Sequence, residues 1–324
     1  MQNPSLLTLI VPLYNLEEYI ADCLESILQI PSELGNYEII VWNDGSIDKS
    51  EKIVNEFIKR FPNKVILENH KNQGVSYSRN KALNRATGKY IWFVDGDDCV
   101  IPENVMLLLK QMQDNYLDLL QFNYKDLFSE GRINDSIFKL SDSEVMSGRD
   151  LFLSQKLNMA PWSYIYRRDF LQENQLLFPE DFKTCEDIQF NQKALFFAKR
   201  SQISSVSAYL YRHRNISATQ GQARRVTLDQ ARRMPLAIEF FSPFNDDKFL
   251  ESILFKNARE IVVWMRWADM NDDDYKAIKM SVKSALSKSI GEFRFLYLYL
   301  LLLSYCPKAL CRLQRIINGA KRLS

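Results

Sequence analysis

Three carboxylates within four residues, Asp95, Asp97 and Asp98 with Gly96 between the first two, are the densest chemistry in the chain. The apolar run Tyr90-Ile91-Trp92-Phe93-Val94 delivers them and reads as a buried strand. Charges at the end of such a strand are costly unless paired or metal-bound. Hard oxygen donors at this density suit Mg2+ or Mn2+, ions that keep waters and take substrate phosphates as further ligands. A solvated acidic turn explains the same residues, because Gly and Asp both favour turns. A second acidic pair, Glu186-Asp187, opens a helical stretch, where such a pair by itself complements the helix dipole. Three more polar clusters complete the set: Pro12-Leu13-Tyr14-Asn15, Asn43-Asp44-Gly45-Ser46-Ile47-Asp48, and Asn72-Gln73-Gly74-Val75-Ser76 ahead of Arg79 and Asn80. Core packing explains Tyr14 taken alone, turn chemistry explains Asp44, and a solvated helix face explains Arg79. Their succession, each at the end of a strand-like run, is what chance does not supply.

The elements that must position these clusters alternate in type over the first hundred residues. Apolar runs at 6–14, 37–42, 65–67 and 90–94 read as strands; 17–30, 48–61 and 76–86 carry helical spacing. Asn15 with Glu18, and Asp48 with Glu51, are placed as capping boxes for the first two helices. Apolar strands separated by amphipathic helices predict a parallel sheet covered on both faces. Ligands bind such sheets beyond the carboxyl ends of the strands, which points to the loops at 12–15, 43–48 and 95–98. Beyond residue 102 the alternation weakens and helices are expected near 103–115, 148–157, 186–199 and 226–241, with one or two more over 247–290.

Composition fits that reading. The chain has 324 residues, 46% hydrophobic and 25% charged, enough for an α/β catalytic domain with an appended segment. A net charge of +2 gives no basis for a nucleic-acid partner. Cys23, Cys99, Cys185, Cys306 and Cys311 form no CxxC pair, so a thiolate zinc site is not expected and the thiols read as reduced and cytosolic. The first residues lack a basic n-region, so no signal peptide is expected. No run of about 20 apolar residues suggests a membrane span.

In the order IVPLYN, IIVWNDGSIDKS, NQGVSYSRN and GKYIWFVDGDD, the motifs resemble those of glycosyltransferase family 2. The resemblance is strong over the first hundred residues and extends to about residue 220. It implies a GT-A fold, that is, a Rossmann-like, mainly parallel α/β sheet flanked by helices, here with a helical C-terminal segment. It also implies an inverting, metal-dependent transfer from a nucleotide sugar. Pro12, Tyr14 and Asn15 would then border the base, with Tyr14 offering a stacking face. Asp44 would accept a hydrogen bond from the base, uracil above all, and Arg79 would lie near base or phosphates. Asp95 would contact ribose or the metal shell, Asp97 would ligate Mn2+ or Mg2+, and Asp98 would face the sugar or acceptor. Glu186-Asp187-Ile188-Gln189-Phe190 looks like the family's ED-x-x-F segment, with Asp187 as catalytic base. Trp162 in the preceding segment and Glu186 would border the donor or acceptor sugar. Arg212 and Ser217 would contact phosphates; Asp95 and His213 are further candidate metal ligands, with a structural or phosphate-contact role for His213 as the alternative. The Trp264-Met265-Arg266-Trp267 stretch is similar to the QxxRW segment of processive members, but Val263 stands at the glutamine position. It therefore reads as packing and the enzyme as non-processive.

The expected division is a catalytic domain over 1–225 (nucleotide half to about 100, acceptor half beyond), a helical extension over 226–292 and a distinct segment over 293–324. That last segment begins FRFLYLYLLLLSYC, meets Pro307, and then interleaves Leu310, Leu313, Ile316 and Ile317 with Lys308, Arg312, Arg315, Lys321 and Arg322. Its apolar part is short of a span, and the pattern is that of an interfacial helix on the cytoplasmic membrane surface. Packing on the catalytic domain or a homodimer contact is the alternative. The reading reached is a UDP-sugar glycosyltransferase, peripheral on the inner face of the membrane. Its acceptor would be a glycan or lipid-linked glycan of capsule, O-antigen or lipopolysaccharide. A sugar-phosphate nucleotidylyltransferase and a non-catalytic nucleotide-sugar-binding protein are the alternatives; the first would carry a Gly-rich, Arg-containing loop where Pro12-Leu13-Tyr14-Asn15 stands.

Overall fold

In the computed structural model, residues 5–31, 33, 35–214, 221–265 and 267–286 are described. The segment 293–324 and Ser217 lie outside the described residues, as does Arg266. The chain divides into two compact units, one of residues 1–181 with 186–215, the other of 182–185 with the chain from 216 onward.

The first unit begins with β1 (Leu7–Leu13), α1 (Ile20–Leu28), β2 (Tyr37–Asn43), α2 (Ser50–Arg60), β3 (Val65–Asn69), α3 (Val75–Arg85) and β4 (Tyr90–Phe93). It continues with β5 (Cys99–Val100), α4 (Pro102–Asp114), β6 (Leu119–Leu127), β7 (Ile133–Asp135) and α5 (Gly148–Ser154). A 3-10 turn at Pro161–Ser163 leads into β8 (Tyr164–Arg167), α6 (Arg168–Glu173), α7 (Glu186–Phe197) and β9 (Ser201–Arg212). One nine-stranded sheet runs β3-β2-β1-β4-β8-β6-β9-β5, with β7 added to β6. The parallel sheet expected from the alternation is its β3-β2-β1-β4 half. β8 runs antiparallel to both β4 and β6, so the other half is mixed. β1 is buried but for one half-buried residue and β4 throughout, and helix α1 buries Ile20, Cys23, Leu24 and Ile27 at helical spacing.

The loops at 12–15, 43–48 and 95–98 follow β1, β2 and β4 at one end of the parallel half. Their capping differs from expectation. Asn15 adopts φ 52° and its side chain accepts from the amide of Ile47 (2.9 Å) instead of capping α1, which begins only at Ile20. Asp48 does bind the Ser50 amide (3.0 Å), but its other oxygen accepts from the Glu17 amide, while Glu17 accepts from Lys49. Glu51 is taken by Asn69. The two loops are thus zipped to each other because each offers the unpaired amides the other's short acidic or amide side chains can reach.

The second unit holds α8 (Ala223–Phe241), where a helix was expected near 226–241, and α9 (Asp247–Met265) and α10 (Asp272–Leu286), two helices where one or two were expected over 247–290. α8 buries Met234 and Ile238, and α9 buries Ile253 and Ile261. Arg224 pairs with Asp274 to join α8 to α10. The Trp264–Trp267 stretch is only half packing: Met265 is buried but Trp267 is 72% exposed. No helix among the described residues is long and apolar enough to cross a membrane.

Candidate active site

Arg79 joins the two acidic motifs. It sits in α3, which starts at Gly74 in a left-handed conformation (φ 97°) that favours glycine. The residue is 5% exposed, with one nitrogen 2.8 Å from Asp95 Oδ1, another 3.1 Å from Glu186 Oε1, and Phe178 beneath the guanidinium. Burial lowers the guanidinium's proton affinity, but Asp95 and Glu186 outweigh that and hold it above its ordinary value. Its Nε–H finds no partner among the described residues. Glu186 is pushed up to about 7 by burial and by the Asp187 carboxylate, with Arg79 pulling the other way. Asp187, half-buried in the first turn of α7, accepts from the Ile188 amide at 2.7 Å.

The Asp95–Asp98 turn is fastened from β9. Tyr209 is buried, accepts from the Asp95 amide (3.0 Å) and donates to Asp98 Oδ2 (2.8 Å). The Arg212 amide donates to Asp98 Oδ1 (2.7 Å). Asp98 is therefore spent differently from the expectation of a sugar contact: it is 2% exposed and both oxygens hold the turn in place. Burial first, then Asp97 and Asp95, keep its carboxyl well above the usual range. Gly96 is needed for close approach, since a Cβ there would lie 3.1 Å from the Pro12 carbonyl oxygen and 2.9 Å from a Leu16 methyl.

Asp97 Oδ2 lies 2.7 Å from Arg214, and burial together with Asp95 raises its carboxyl against that arginine. A partly desolvated carboxylate that resists its own charge is suited to a divalent cation. Among the described residues no group of three His, Cys, Asp or Glu is arranged to hold one. Asp97 with Asp95 still fits Mg2+ or Mn2+, which commonly take one or two carboxylates and complete their shells with water and phosphate oxygens. His213 is not brought to them: its Nε2 lies 2.8 Å from Asp126 and its ring stacks on Phe128. Arg212 binds Asp22 (2.9 Å) and the Asp97 carbonyl (2.8 Å), and both Arg212 and Arg214 lie over the Tyr19 ring. Trp162, 7% exposed, is stacked against Tyr209 and Tyr211 rather than open to a sugar.

Beyond the carboxyl end of β1, Tyr14 is 49% exposed beside Asn15. Asp44 is buried and accepts from the amides of Gln73 (2.7 Å) and Gly74 (2.9 Å), so it anchors the loop that starts α3. Sequence reasoning passed over His70, 3.5 Å from Asp44, and Arg214. For Arg214 a signal existed, because residues two apart in an extended segment point to one side and Arg212 was already singled out.

The sequence model of the family described as glycosyl transferase family 2 matches residues 8–173. A relative is the uncharacterized glycosyltransferase EpsJ of Bacillus subtilis, 32% identical over 223 residues, 66% of this chain and 63% of EpsJ. The chain thus spans less than two-thirds of that relative's length. Among solved structures, Staphylococcus aureus TarS 1–349 in complex with UDP-GlcNAc superposes with TM-score 0.67 at 24% identity, over 92% of this chain and 88% of that one. The mannosyltransferase PcManGT from Pyrobaculum calidifontis, in complex with GDP-Man and Mn2+, gives 0.56 at 16% identity, over 95% and 89%. At these identities the two structures speak for the fold alone.

Proposed function

The chain belongs to glycosyl transferase family 2, and from that premise we propose that it is an inverting, non-processive glycosyltransferase using a UDP-sugar and Mn2+ or Mg2+. The observation that carries the reading is Arg79, which draws the Asp95–Asp98 turn and the Glu186-Asp187 pair, 107 residues apart along the chain from Arg79 to Glu186, into one site. The family membership sets the nucleotidylyltransferase alternative aside. The acceptor in this proposal is a glycan or lipid-linked glycan of a cell-surface polymer, a class that includes the capsule, O-antigen and lipopolysaccharide expected above. Relatives named poly(ribitol-phosphate) transferases and a minor teichoic acid biosynthesis protein support that class.

The residues take these parts. Tyr14 stacks on the base, with Pro12 and Asn15 bordering it, and Asp44 accepts from it. Asp97, with Asp95, would hold the cation, which when bound neutralises the charge developing on the diphosphate. Arg79 keeps Asp95 fixed and has its spare Nε–H to offer a donor oxygen. Arg212 and Ser217 supply charge-assisted and hydroxyl contacts to phosphate. Asp187 takes the proton from the acceptor hydroxyl as that oxygen attacks the anomeric carbon. Glu186 borders the sugar and, through Arg79, keeps the base and the acidic turn in register. Asp98 and Trp162 position the turn from behind. The catalytic part extends over 1–225, the helical part over 226–292, and 293–324 attaches the protein to the inner membrane face.

Calorimetry with Mn2+ tests the donor assignment. UDP is expected to bind more tightly than GDP or CDP, and Asp97→Asn to remove the dependence on metal. Equal binding of the three nucleotides would refute it.

A further inference from the structure

Groups of this chain already claim most of the oxygens in the Asp95–Asp98 turn. Asp98 spends both on Tyr209 and the Arg212 amide, and Asp95 Oδ1 is held by Arg79. Asp97 Oδ2 lies 2.7 Å from Arg214, with both side chains mostly buried. Among the described residues, one oxygen of Asp95 and one of Asp97 are left without a partner.

Two arginines reach this turn from the end of β9, and they are held differently. Arg212 has three anchors: its amide on Asp98, its Nε–H on the Asp97 carbonyl (2.8 Å) and its guanidinium on Asp22 (2.9 Å). Among the described residues Arg214 has one ion-pair partner, Asp97. It otherwise rests over the Tyr19 ring at 5.5 Å, the ring that also carries Arg212. If Asp97 changed partners, Arg212 would keep its place and Arg214 would not.

We propose that Arg214 couples the divalent cation to the nucleotide: its guanidinium neutralises Asp97 in the free protein, opposes a cation that arrives alone, and passes to the diphosphate when the two arrive together. The inference rests on the reading of Asp97 as the cation's carboxylate. A cation on Asp97 must either displace the guanidinium or stand beside it. Like charges that close repel most where solvent is partly excluded, as it is around this pair. A guanidinium that leaves Asp97 needs another anion, and diphosphate oxygens fit its planar N–H pairs. With Arg214 on phosphate, both positive groups share one anion. Each ligand then strengthens the other's binding by the same factor.

The test uses the full chain and two measurements. Mn2+ binding without nucleotide is followed by the paramagnetic resonance of free Mn2+, and UDP is titrated calorimetrically in Mn2+ and in EDTA. Wild type is compared with Arg214→Met, Arg214→Lys and Asp97→Asn. Without nucleotide, Arg214→Met should bind Mn2+ ~10-fold more tightly than wild type, because one nearby, partly screened charge is gone. In Mn2+ the same variant should bind UDP ~10-fold more weakly, the scale of one hydrogen bond to a charged group. Arg214→Lys keeps the charge and should stay within ~3-fold of wild type in Mn2+ affinity. A residue that only supported the fold would weaken both ligands when removed, so the opposite signs identify the coupling. A Met variant that binds Mn2+ no more tightly than wild type, or UDP no more weakly, overturns the role of Arg214, as does a Lys variant that gains Mn2+ affinity as far as Met. The reading of Asp97 stands in those cases if Asp97→Asn loses the gain in UDP affinity that Mn2+ gives wild type. If Asp97→Asn keeps that gain, or wild type shows none, the reading of Asp97 fails and this inference fails with it.

Discussion

Arg79 and its two carboxylates set the behaviour of the site at the scale of single residues. Removing the cation while leaving Asp95 and Glu186 in place strips a buried ion pair of one partner, which costs about 3–5 kcal/mol. Arg79→Met should lose that much in chemical denaturation at pH 8. Arg79→Lys should lose less, because a single ammonium satisfies one carboxylate but cannot span both. Glu186 adds a pH signature. Its carboxyl is raised from 4.5 to about 7 by burial and by Asp187, opposed by Arg79 and reinforced by Asp95. The folded state therefore binds more protons than the unfolded one between those values, and stability falls as pH rises through that window. Thermal unfolding of Glu186→Gln between pH 4.5 and 7 should show a flatter fall than wild type; parallel curves would contradict the assignment. For catalysis, Asp187→Asn should cut turnover ~10²–10⁴-fold, the range a positioned base contributes, with UDP affinity kept. None of the partners of Arg79 was legible in the sequence. The residue itself was, from its place after NQGVSYS, but a helix position does not reveal which distant carboxylates a folded sheet will bring to it.

At the scale of elements, the parallel half of the sheet was legible because β1, β2 and β4 are short apolar runs bounded by polar loops, and α1 and α2 bury one stripe each. Beyond residue 102 the reading favoured helices and missed the long strands. β9, SQISSVSAYLYR, is rich in serine and its burial does not alternate cleanly, partly because its pairing with β6 slips register around Asn123. Yet β9 carries Tyr209 and Arg212, which fasten the acidic turn, so the part of the site least visible in sequence is the part that fixes Asp98. The capping boxes failed for a related reason: Asn15 and Glu17 bind amides of the neighbouring loop, and Asp48 divides its oxygens between the Glu17 amide and the Ser50 amide at the start of α2. The turn after β4 gives a direct test of this packing. Gly96→Ala would press a methyl against the Pro12 carbonyl and Leu16 and should destabilise the protein by about 1–3 kcal/mol. Nucleotide binding should weaken with it, since Pro12 and Asp97 move apart. A variant with unchanged melting temperature and unchanged UDP affinity would show that the close approach is not needed.

For the whole molecule, the sequence indicated one catalytic region followed by helices, and α8 to α10 supply the helices. The proposed membrane segment lies outside the described residues, and its pattern of leucines, isoleucines and cations is the basis for a separate prediction. Clustered cations gain roughly 1 kcal/mol each near an anionic leaflet. The full chain should therefore sediment with vesicles containing anionic lipid at low salt, and deletion of 293–324 should release it while sparing UDP binding. Full-length protein that remains in the supernatant would count against the anchor. The central claim, that one site built around Arg79, Asp97 and Asp187 transfers a sugar from UDP, is tested most directly by turnover. UDP release should be followed in Mn2+ across a set of UDP-sugars with free and lipid-linked glycan acceptors, comparing wild type with Asp187→Asn. The account predicts acceptor-dependent UDP release from at least one UDP-sugar, collapsing in the Asp187→Asn variant. Release by Asp187→Asn at the wild-type rate, or none above background with any donor and acceptor, would contradict it.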